Sequence, residues 1–285
     1  MRYQPLIIIG APRSGTNMLR DVLTALDGVA TWPCDEINYI WRHGNLRYPS
    51  DALPAERATP EVRAYVERQF EWVARHYESD VIVEKTCANS LRVPFVDQLM
   101  PNARYLFIRR DGVDAVGSAM SRWKAPLDIG YLAEKARFVP AMDLPYYGGR
   151  YIWSRLYRLF SSEQRVAFWG PRLDDIDALL DEHSLADVCA IQWQRCVDSA
   201  ATAFAGMSEE RWLEVGYEDF VRRPEHAIAR VLDFLGRDVS QERRRALVEN
   251  VRSTSIGKGR AELDDTTILR LETLIGDTLR RYGYL

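Results

Sequence analysis

A glycine-rich segment near the N-terminus carries the residues with the clearest chemical potential. Its sequence, Gly10-Ala11-Pro12-Arg13-Ser14-Gly15-Thr16, follows the apolar run at 5–9 and precedes a stretch whose apolar residues recur at helical spacing. Free backbone N–H groups and the positive end of a helix dipole converge at such a strand-to-helix turn. Arg13 adds a positive charge. The segment therefore predicts a site for a phosphate or a similar anion.

The same segment departs from the phosphate loop of nucleoside triphosphatases, G-x-x-x-x-G-K-[ST]. Gly10 and Gly15 have the required spacing, but Thr16 follows Gly15 directly, so the lysine that reaches the β- and γ-phosphates is missing. No convincing Walker-B aspartate follows a predicted strand. A loop with one basic residue suits a single phosphate group that carries a leaving group. A glycine-rich turn without any ligand is the plain structural alternative.

Apolar periodicity predicts the elements that position this loop. Buried strands are expected at 5–9, 81–83, 104–108 and 212–215, and helices at 14–26, 59–77, 111–122, 185–204, 225–235 and 264–281. Thr59 is the expected N-cap of the second helix, with Pro60 at its first position. Strands that alternate with helices predict an α/β fold, in which a central parallel sheet is flanked by helices. Ligands of such folds lie at the carboxyl ends of the strands.

Residues 123–170 are rich in aromatic side chains compared with the 11% of the whole chain. We expect a helical insert here, and two interpretations are open. The insert packs a small core of its own, or it forms a lid that binds the acceptor, because aromatic faces bind sugars and phenols with little loss of entropy.

Length and composition bound the class of protein. The 285 residues, 47% hydrophobic and 28% charged, suit one soluble domain over 1–285. A net charge of -3 argues against a broad electrostatic surface for nucleic acid, and no apolar run approaches the roughly 18–20 residues of a membrane span. The apolar run at 5–9 is also shorter than the core of a signal peptide, about 7–15 residues. Four dispersed cysteines without a C-x-x-C argue against a disulfide scaffold or zinc cluster, so we expect a cytoplasmic protein. The oligomeric state is not indicated.

Two motifs carry a resemblance to a known family. Gly10 to Asn17 resembles the 5′-phosphosulfate loop of sulfotransferases that use 3′-phosphoadenosine 5′-phosphosulfate (PAPS). The segment YLFIRRDGVDAVGS at 105–118 resembles their 3′-phosphate motif, a strand followed by an Arg-Asp-Gly turn and a helix with a serine. The pattern is most similar to the P-R-S-G-T branch, which includes protein-tyrosine sulfotransferases and many bacterial carbohydrate and metabolite sulfotransferases. Asn17 stands where that branch often has a second threonine.

The resemblance covers most of the chain. It implies a P-loop nucleotide-kinase-like sulfotransferase fold, PAPS as co-substrate and no metal ion.

The resemblance implies a role for each residue of the two motifs. Arg13 would contact the sulfonate or 5′-phosphate and stabilise charge on the bridging oxygen as the S–O bond breaks. The 5′-phosphate would also be held by Ser14, Gly15, Thr16 and Asn17. Arg110, Ser118 and Arg122 would hold the 3′-phosphate, since Ser118 and Arg122 share one helix face. For Arg110 and Arg122, the alternative is salt bridging with Asp111 and Asp114.

Two later segments complete the nucleotide site that the resemblance implies. Tyr217, in GYEDF at 216–220, would lie near the adenosine or the 3′-phosphate. The basic, glycine-broken loop STSIGKGR at 253–260 resembles the family's closing loop, and it would cap the 3′-phosphate with Ser255, Lys258, Gly259 and Arg260. A buried tyrosine at a strand end and a solvated loop are the respective alternatives.

Sulfonate transfer needs a base that takes the proton of the acceptor hydroxyl. The P-R-S-G-T branch places a catalytic glutamate in the region of Asp35-Glu36, so we assign Glu36 as the base and Asp35 as its reserve. His43 is the runner-up, since the cytosolic branch uses a histidine elsewhere along its chain. A lone histidine is more often structural.

Lys85 ends the predicted strand at 81–83, where the family has a basic residue that helps the departing phosphate. A surface lysine is the alternative. Trp193 resembles a residue of a family helix near the nucleotide, and we expect it in the core instead.

The sequence therefore predicts an enzyme that moves a sulfonate from PAPS to an acceptor hydroxyl, giving a sulfate ester and adenosine 3′,5′-bisphosphate (PAP). A P-loop nucleotide kinase or NTPase is the rival prediction, which the missing loop lysine disfavours. A non-catalytic nucleotide-binding protein is the third. Sugars, phenols, peptidyl tyrosine and lipid-linked alcohols all remain open as acceptors.

Overall fold

A parallel sheet of five strands forms the centre of the molecule, in the order β2-β3-β1-β4-β5. The computed structural model describes residues 3–124, 137–140, 142–149 and 169–285. The strands are β1 (Gln4–Ile9), β2 (Val29–Ala30), β3 (Val81–Lys85), β4 (Arg104–Arg109) and β5 (Trp212–Gly216). The four predicted strands are confirmed to within two residues at either end, whereas the short β2 was not predicted.

Helices pack on both faces of this sheet. In chain order, the helices whose two ends lie within the described residues are α1 (Thr16–Thr24), α2 (Asn38–Arg42), α3 (Pro60–His76), α4 (Val93–Leu99), α5 (Gly112–Lys124), α6 (Ile176–Glu182), α7 (Leu185–Ala205), α8 (Tyr217–Arg222), α9 (Pro224–Leu235), α10 (Gln241–Leu247), α11 (Lys258–Ala261), α12 (Asp265–Leu274) and α13 (Gly276–Arg281). Short 3₁₀ turns occur at Ala55–Arg57, Cys87–Leu91 and Glu209–Arg211.

The central strand β1 divides the core into two layers. Its residues alternate between the two faces, as the twofold side-chain period of a strand requires. Leu6 and Ile8 pack with α1, α8 and α9, while Ile7 and Ile9 pack with α3, α4, α5 and α7. All four side chains have 0% exposure. The uninterrupted apolar run in the sequence therefore marks a strand that is covered on both faces.

Local signals explain the start of α3. Thr59 Oγ1 accepts a hydrogen bond from the Val62 N–H at 3.4 Å, and Pro60 occupies the first helical position. Val62, Val66 and Phe70 form the buried stripe that the spacing predicts. The predicted cap and helix are thus confirmed.

Two predictions about the C-terminal third are wrong. The single helix expected at 264–281 is two helices, because Ile275 leaves the helical conformation with φ -115° and ψ 18°. Gly276 follows at the break, and glycine is a weak helix former. The loop expected at 253–260 also ends in helix, since α11 begins at Lys258.

The aromatic-rich insert expected at about 123–170 lies largely outside the described residues, which omit 125–136, 141 and 150–168. Trp123, its first residue, belongs instead to α5 and is buried in the core. Trp169 also packs on that core, with its ring centroid 6.5 Å from that of Trp123.

Two features of the sequence bear on topology and cysteine chemistry. The described part of the chain contains no helix that is long and apolar enough to cross a bilayer. Cys34, Cys87, Cys189 and Cys196 are buried free thiols.

The carboxyl edge of the sheet gathers the predicted site residues. The glycine-rich loop follows β1, Lys85 ends β3, Arg110 follows β4 and Tyr217 follows β5. After β1 the chain forms β2 and β3 on one side of this strand, and it then forms β4 and β5 on the other side. The carboxyl edge at β1 is therefore also the topological switch point at which α/β folds bind ligands.

Candidate active site at the carboxyl edge of the sheet

The glycine-rich loop ends in an uncapped helix N-terminus. Gly15 is the N-cap of α1 with φ 87°, and no side chain caps this end. The Leu19 N–H, which donates to the Gly15 carbonyl at 3.1 Å, makes the first bond of the helix. The N–H groups of Thr16, Asn17 and Met18 therefore have no partner within the helix. Such an end is a ready binding site for an anion.

Arg13 brings a positive charge to this end of α1. Its backbone is in the left-handed region with φ 68°, which is uncommon for a residue other than glycine. The Arg13 Nε donates to Ser118 Oγ at 2.8 Å, and its own carbonyl accepts from Arg110 Nη1 at 3.0 Å. These two contacts hold the strained residue in place and join the predicted 5′- and 3′-phosphate motifs.

Positive charges crowd around Arg13. Burial lowers the pKa of the Arg13 guanidinium, and the like charges of Arg122 and Arg110 lower it further. Within the described ranges no carboxylate lies at salt-bridge distance from Arg13, although Asp35 acts on it from farther away. A bound anion would relieve this repulsion.

The other loop residues differ in accessibility. Ser14 is fully buried, and its Oγ has no hydrogen-bond partner among the described residues. Thr16 is buried, with its Oγ1 3.9 Å from Cys87 Sγ. Asn17 is exposed on the first turn of α1. Of these predicted phosphate ligands, Asn17 is the one whose side chain faces solvent.

Tyr217 packs directly on the loop. A Cβ atom on Gly15 would lie 2.4 Å from Tyr217 Cδ2, so the ring leaves room only for glycine. The Arg110 guanidinium lies over the same ring, 4.4 Å from its centroid, in a cation–π contact. The structure thus brings Tyr217 to the loop and to Arg110, between the two predicted phosphate motifs.

Arg110 is largely committed to contacts within the protein. Its Nε donates to Asp114 at 3.0 Å, Nη2 donates to Asp114 and to the Ser255 carbonyl, and Nη1 donates to the Arg13 carbonyl. An arginine has five N–H donors. One N–H on Nη1 is therefore left for a ligand, and the residue is 5% exposed.

The C-terminal segment reaches the site beside α5. The Ser255 carbonyl accepts from Arg110, and Gly259 is buried against α5. Arg260 pairs with Glu272 at 2.6 Å and with Asp111 at 3.3 Å. Lys258 is exposed, as is Arg122 on the last turn of α5. The structure brings this segment to the 3′-phosphate motif, with the Arg260 guanidinium turned to carboxylates.

Glu36 and Lys85 lie together on the other side of the loop. The Lys85 Nζ is 3.0 Å from Glu36 Oε1 and 2.8 Å from Asp35 Oδ1. Asp35 Oδ1 also accepts from Arg20 Nη1 at 2.8 Å. Burial alone lowers the pKa of Lys85, but the charges of Glu36 and Asp35 outweigh it and the net pKa is raised. Lys85 is therefore a charged, buried partner of both candidate bases.

The residues after β3 connect this cluster to the glycine-rich loop. The Cys87 N–H donates to Glu36 Oε1 at 3.4 Å, while its thiol contacts Thr16. Thr86 Oγ1 accepts from the Ile37 N–H at 3.2 Å and donates to Glu84 Oε1 at 2.5 Å. The segment at 84–87 thus holds the side chain of the candidate base Glu36 and the backbone N–H of the next residue, Ile37.

His43 has different neighbours. Its Nδ1 lies 2.8 Å from Asp143 Oδ2, and its ring packs on Tyr65 with centroids 4.0 Å apart. Trp193 is buried against Gly112, which confirms its predicted place in the core.

Sequence reasoning missed several residues that build the site. From the sequence, Asp114 was only an alternative salt-bridge partner of the arginines. Its position four residues after Arg110 is nevertheless the pattern that predicts the ion pair between these two residues. Glu84 and Thr86 flank Lys85 and were not assigned. Glu218, next to Tyr217, accepts from the Asp111 N–H at 3.0 Å and anchors the Arg-Asp-Gly turn. Only the three-dimensional pairing of β4 with β5 brings that contact about.

Comparison with known proteins agrees with this architecture. The model of the Sulfotransferase family matches residues 5–133 and 150–241, which is more than half of the chain. No curated protein sequence matches the chain.

Solved sulfotransferase structures share the fold. The sulfotransferase domain from the curacin biosynthetic pathway has a TM-score of 0.55 at 12% identity, over 97% of this chain and 99% of that one. The sulfotransferase domain of the Synechococcus olefin synthase has a TM-score of 0.54 at 16% identity, over 95% and 94%. A mouse sulfotransferase complexed with PAP has a TM-score of 0.51 at 10% identity, over 98% and 86%. The predicted P-loop-like sulfotransferase fold is confirmed.

Proposed function

This chain belongs to the sulfotransferase family, and on that premise we propose that it transfers the sulfonate of PAPS to a hydroxyl group of an acceptor. The products are a sulfate ester and PAP. The observation that carries the proposal is the crowding of Arg13, Arg110 and Arg122 at the uncapped N-terminus of α1. A donor with phosphate groups at two ends of a nucleoside suits a site with several positive charges between two motifs.

The residues around α1 fit the 5′-phosphosulfate end of the donor. The N–H groups of Thr16, Asn17 and Met18 and the Arg13 guanidinium are the donors available there. Gly15 has no side chain that would block the anion, and the Tyr217 ring packs against this residue. Ser14 Oγ is a buried hydroxyl without a partner among the described residues, and a small change in the loop would bring it to an anion.

Among the described residues, the 3′-phosphate end has a smaller set of free donors. Ser118, Arg122, Lys258 and the remaining N–H of Arg110 are the groups that we assign to it. Arg260 joins them only if it leaves Glu272 or Asp111.

Bound PAPS supplies a sulfonate that is joined to the 5′-phosphate through a bridging oxygen. PAP is a good leaving group when this S–O bond breaks. As the acceptor oxygen bonds to sulfur and the bridging S–O bond breaks, Glu36 takes the acceptor proton. Arg13 stabilises the negative charge that develops on the bridging oxygen. Protonation of Glu36 also removes one of the two charges that hold Lys85, so its ammonium becomes available to the departing phosphate.

Thermal unfolding with nucleotides tests the donor. PAP or PAPS at about 100 times its Kd should stabilise the protein by roughly 2.7 kcal/mol without magnesium, while ATP should do so weakly. Arg13→Ala should abolish most of the shift. Arg237→Ala is the matched control, because Arg237 pairs with Asp80 at the opposite edge of the sheet. A shift with magnesium-ATP but none with PAP would favour a nucleotide kinase.

Transfer itself is tested with labelled PAPS and a panel of phenols, sugars, tyrosine peptides and lipid-linked alcohols. We expect label in one acceptor class and its loss in Glu36→Gln. Binding of PAP without transfer to any class would favour a nucleotide-binding protein without this activity.

A further inference from the structure

Asp114, on the first turn of α5, is the most heavily hydrogen-bonded carboxylate near the proposed nucleotide site within the part of the chain that the structure describes. Oδ2 accepts from Arg110 Nε at 3.0 Å, from Arg110 Nη2, and from the Gly257 N–H at 3.1 Å. Oδ1 accepts from the Gly259 N–H at 2.6 Å and from the Arg260 N–H at 3.2 Å. Asp114 is 2% exposed. One side chain therefore binds the arginine after β4 and the backbone of the C-terminal segment.

Glycines make this contact possible. A Cβ atom on Gly259 would lie 1.9 Å from the Asp114 carbonyl oxygen, and one on Gly117 would lie 2.0 Å from the Gly259 carbonyl oxygen. Gly257 turns the chain into α11 with φ 73°. The two backbones pack without side chains between them, and this brings the Gly259 N–H to the carboxylate.

The three N–H groups point at one anion, as in the backbone anion-binding concavities known as nests. Here the anion is a carboxylate of the protein itself. The N–H groups of Gly257, Gly259 and Arg260 are thus bonded before any nucleotide binds, and the exposed Lys258 side chain is available to a ligand.

The effect of Asp114 reaches the phosphate loop through Arg110. Asp114 holds Nε and Nη2 of Arg110, and this orientation directs Nη1 to the Arg13 carbonyl at 3.0 Å. Arg13 is the residue with the strained φ of 68°. Asp114, Arg110 and Arg13 therefore form a continuous chain from the C-terminal segment to the loop.

We propose that Asp114 is a positioning residue that assembles the nucleotide site before the nucleotide arrives, by fixing Arg110 and the backbone at 257–260 in one arrangement. The inference rests on the proposed function, because it assumes that the nucleotide binds between these elements. A site assembled in advance loses less entropy on binding, so its affinity is higher than that of a loop that must order first.

Hydrogen exchange of the unaltered chain without nucleotide is the first test. Peptides that cover 253–262 should show protected amides at Gly257, Gly259 and Arg260. Free exchange of these amides until PAP is added would overturn the proposal. This measurement needs no variant, so it remains decisive even if variants at Asp114 fold poorly.

Asp114→Asn is the second test. Asparagine has the size of aspartate but no charge. Its NH₂ group would face N–H donors, from which it cannot accept a hydrogen bond. We expect faster exchange at 253–262 and a rise in the Kd for PAP of about 10- to 100-fold, the effect of a lost charge-assisted hydrogen bond. The KM for PAPS should rise similarly, while kcat at saturating PAPS stays within a few fold, because Asp114 does not take part in proton transfer.

Asp175→Asn is the matched control. Asp175 forms a two-pronged pair with Arg195 at 2.5 Å and 2.7 Å and has no hydrogen bond to Arg110 or to the backbone at 257–260. Asp175→Asn should leave hydrogen exchange at 253–262 and the Kd for PAP unchanged. An unchanged Kd for Asp114→Asn would overturn the positioning role and leave the proposed function standing. Failure of the unaltered protein to bind PAP would instead overturn the proposed donor.

Discussion

The ammonium group of Lys85 lies 3.0 Å from Glu36 Oε1, with its side chain 2% exposed. The two residues come from β3 and from the segment that follows β2, and the parallel sheet brings them to the same edge. The carboxylates of Glu36 and Asp35 raise the pKa of Lys85 above its usual value despite burial. Lys85 therefore stays charged throughout the physiological pH range, and it cannot serve as the base itself.

Glu36→Gln should separate proton transfer from binding. The amide keeps the shape of the side chain but cannot take a proton, so kcat should fall by about 10²–10⁴. The Kd for PAP should stay within a few fold, as measured by calorimetry. Asp35→Asn is the control, because Asp35 shares Lys85 but is also held by Arg20. A near-normal kcat for Glu36→Gln with a collapse for Asp35→Asn would move the base to Asp35.

His43→Asn should leave turnover within about threefold of the parent. The histidine contacts Asp143 and Tyr65, so its loss should cost about 1 kcal/mol of stability, the usual value of one hydrogen bond. Urea unfolding and steady-state kinetics measure the two effects. A loss of turnover comparable to that of Glu36→Gln, at normal stability and PAP affinity, would make His43 the base.

Gly15→Ala should damage the phosphate loop through the Tyr217 ring. The new methyl group would lie 2.4 Å from Tyr217 Cδ2, and φ is 87°. Gly236→Ala is a matched control, since Gly236 has φ 68° and a methyl group there would meet no atom within 4 Å. We expect Gly15→Ala to lose about 1–3 kcal/mol more stability than Gly236→Ala, the typical cost of overpacking.

The same pair also differs in binding. Gly15→Ala should weaken PAP binding, and Gly236→Ala should not. Equal losses of stability in the two variants would mean that the ring does not press on the loop.

Glu84 should give the protein a pH-dependent stability. Burial raises the pKa of this carboxyl group to about 7. A raised pKa in the folded state means that stability is complete below the unfolded pKa of about 4.5 and falls as pH rises to about 7. The loss attributable to Glu84 is about 3 kcal/mol.

The test compares the parent with Glu84→Gln by urea unfolding at several pH values from 4.5 to 8. The difference between the two free energies of unfolding should change by that amount, with the parent losing stability as pH rises. Parallel curves would show that Glu84 titrates at an ordinary pH in the folded protein.

Elements with strong local signals were predictable from sequence. The aliphatic run of β1 and the cap of α3 depend on residues close together in the chain, and both are as expected. The break at Ile275 was missed because apolar spacing continues across it. Tertiary contacts and one weak helix former at Gly276 decided the outcome there.

The residues of the candidate site also fall into those that local sequence predicts and those that it does not. The glycine-rich loop and the Arg-Asp-Gly turn could be located because each motif is contiguous. The contact of Asp114 with Gly259 joins positions that no local pattern relates. The pairing of His43 with Asp143 likewise depends on segments that are distant in the chain.

The strand order has a consequence for synthesis of the chain. Gln4 of β1 pairs with Val81, and Leu6 pairs with Arg104, so the central strand has no neighbour until much later residues have been made. At about 5–20 residues per second, a ribosome takes roughly 4–15 s to add the first of these partners. During that time an uninterrupted aliphatic run is available to other nascent chains, and such runs are prone to aggregate. The strand that anchors the phosphate loop is therefore the segment for which chaperone protection matters while translation proceeds.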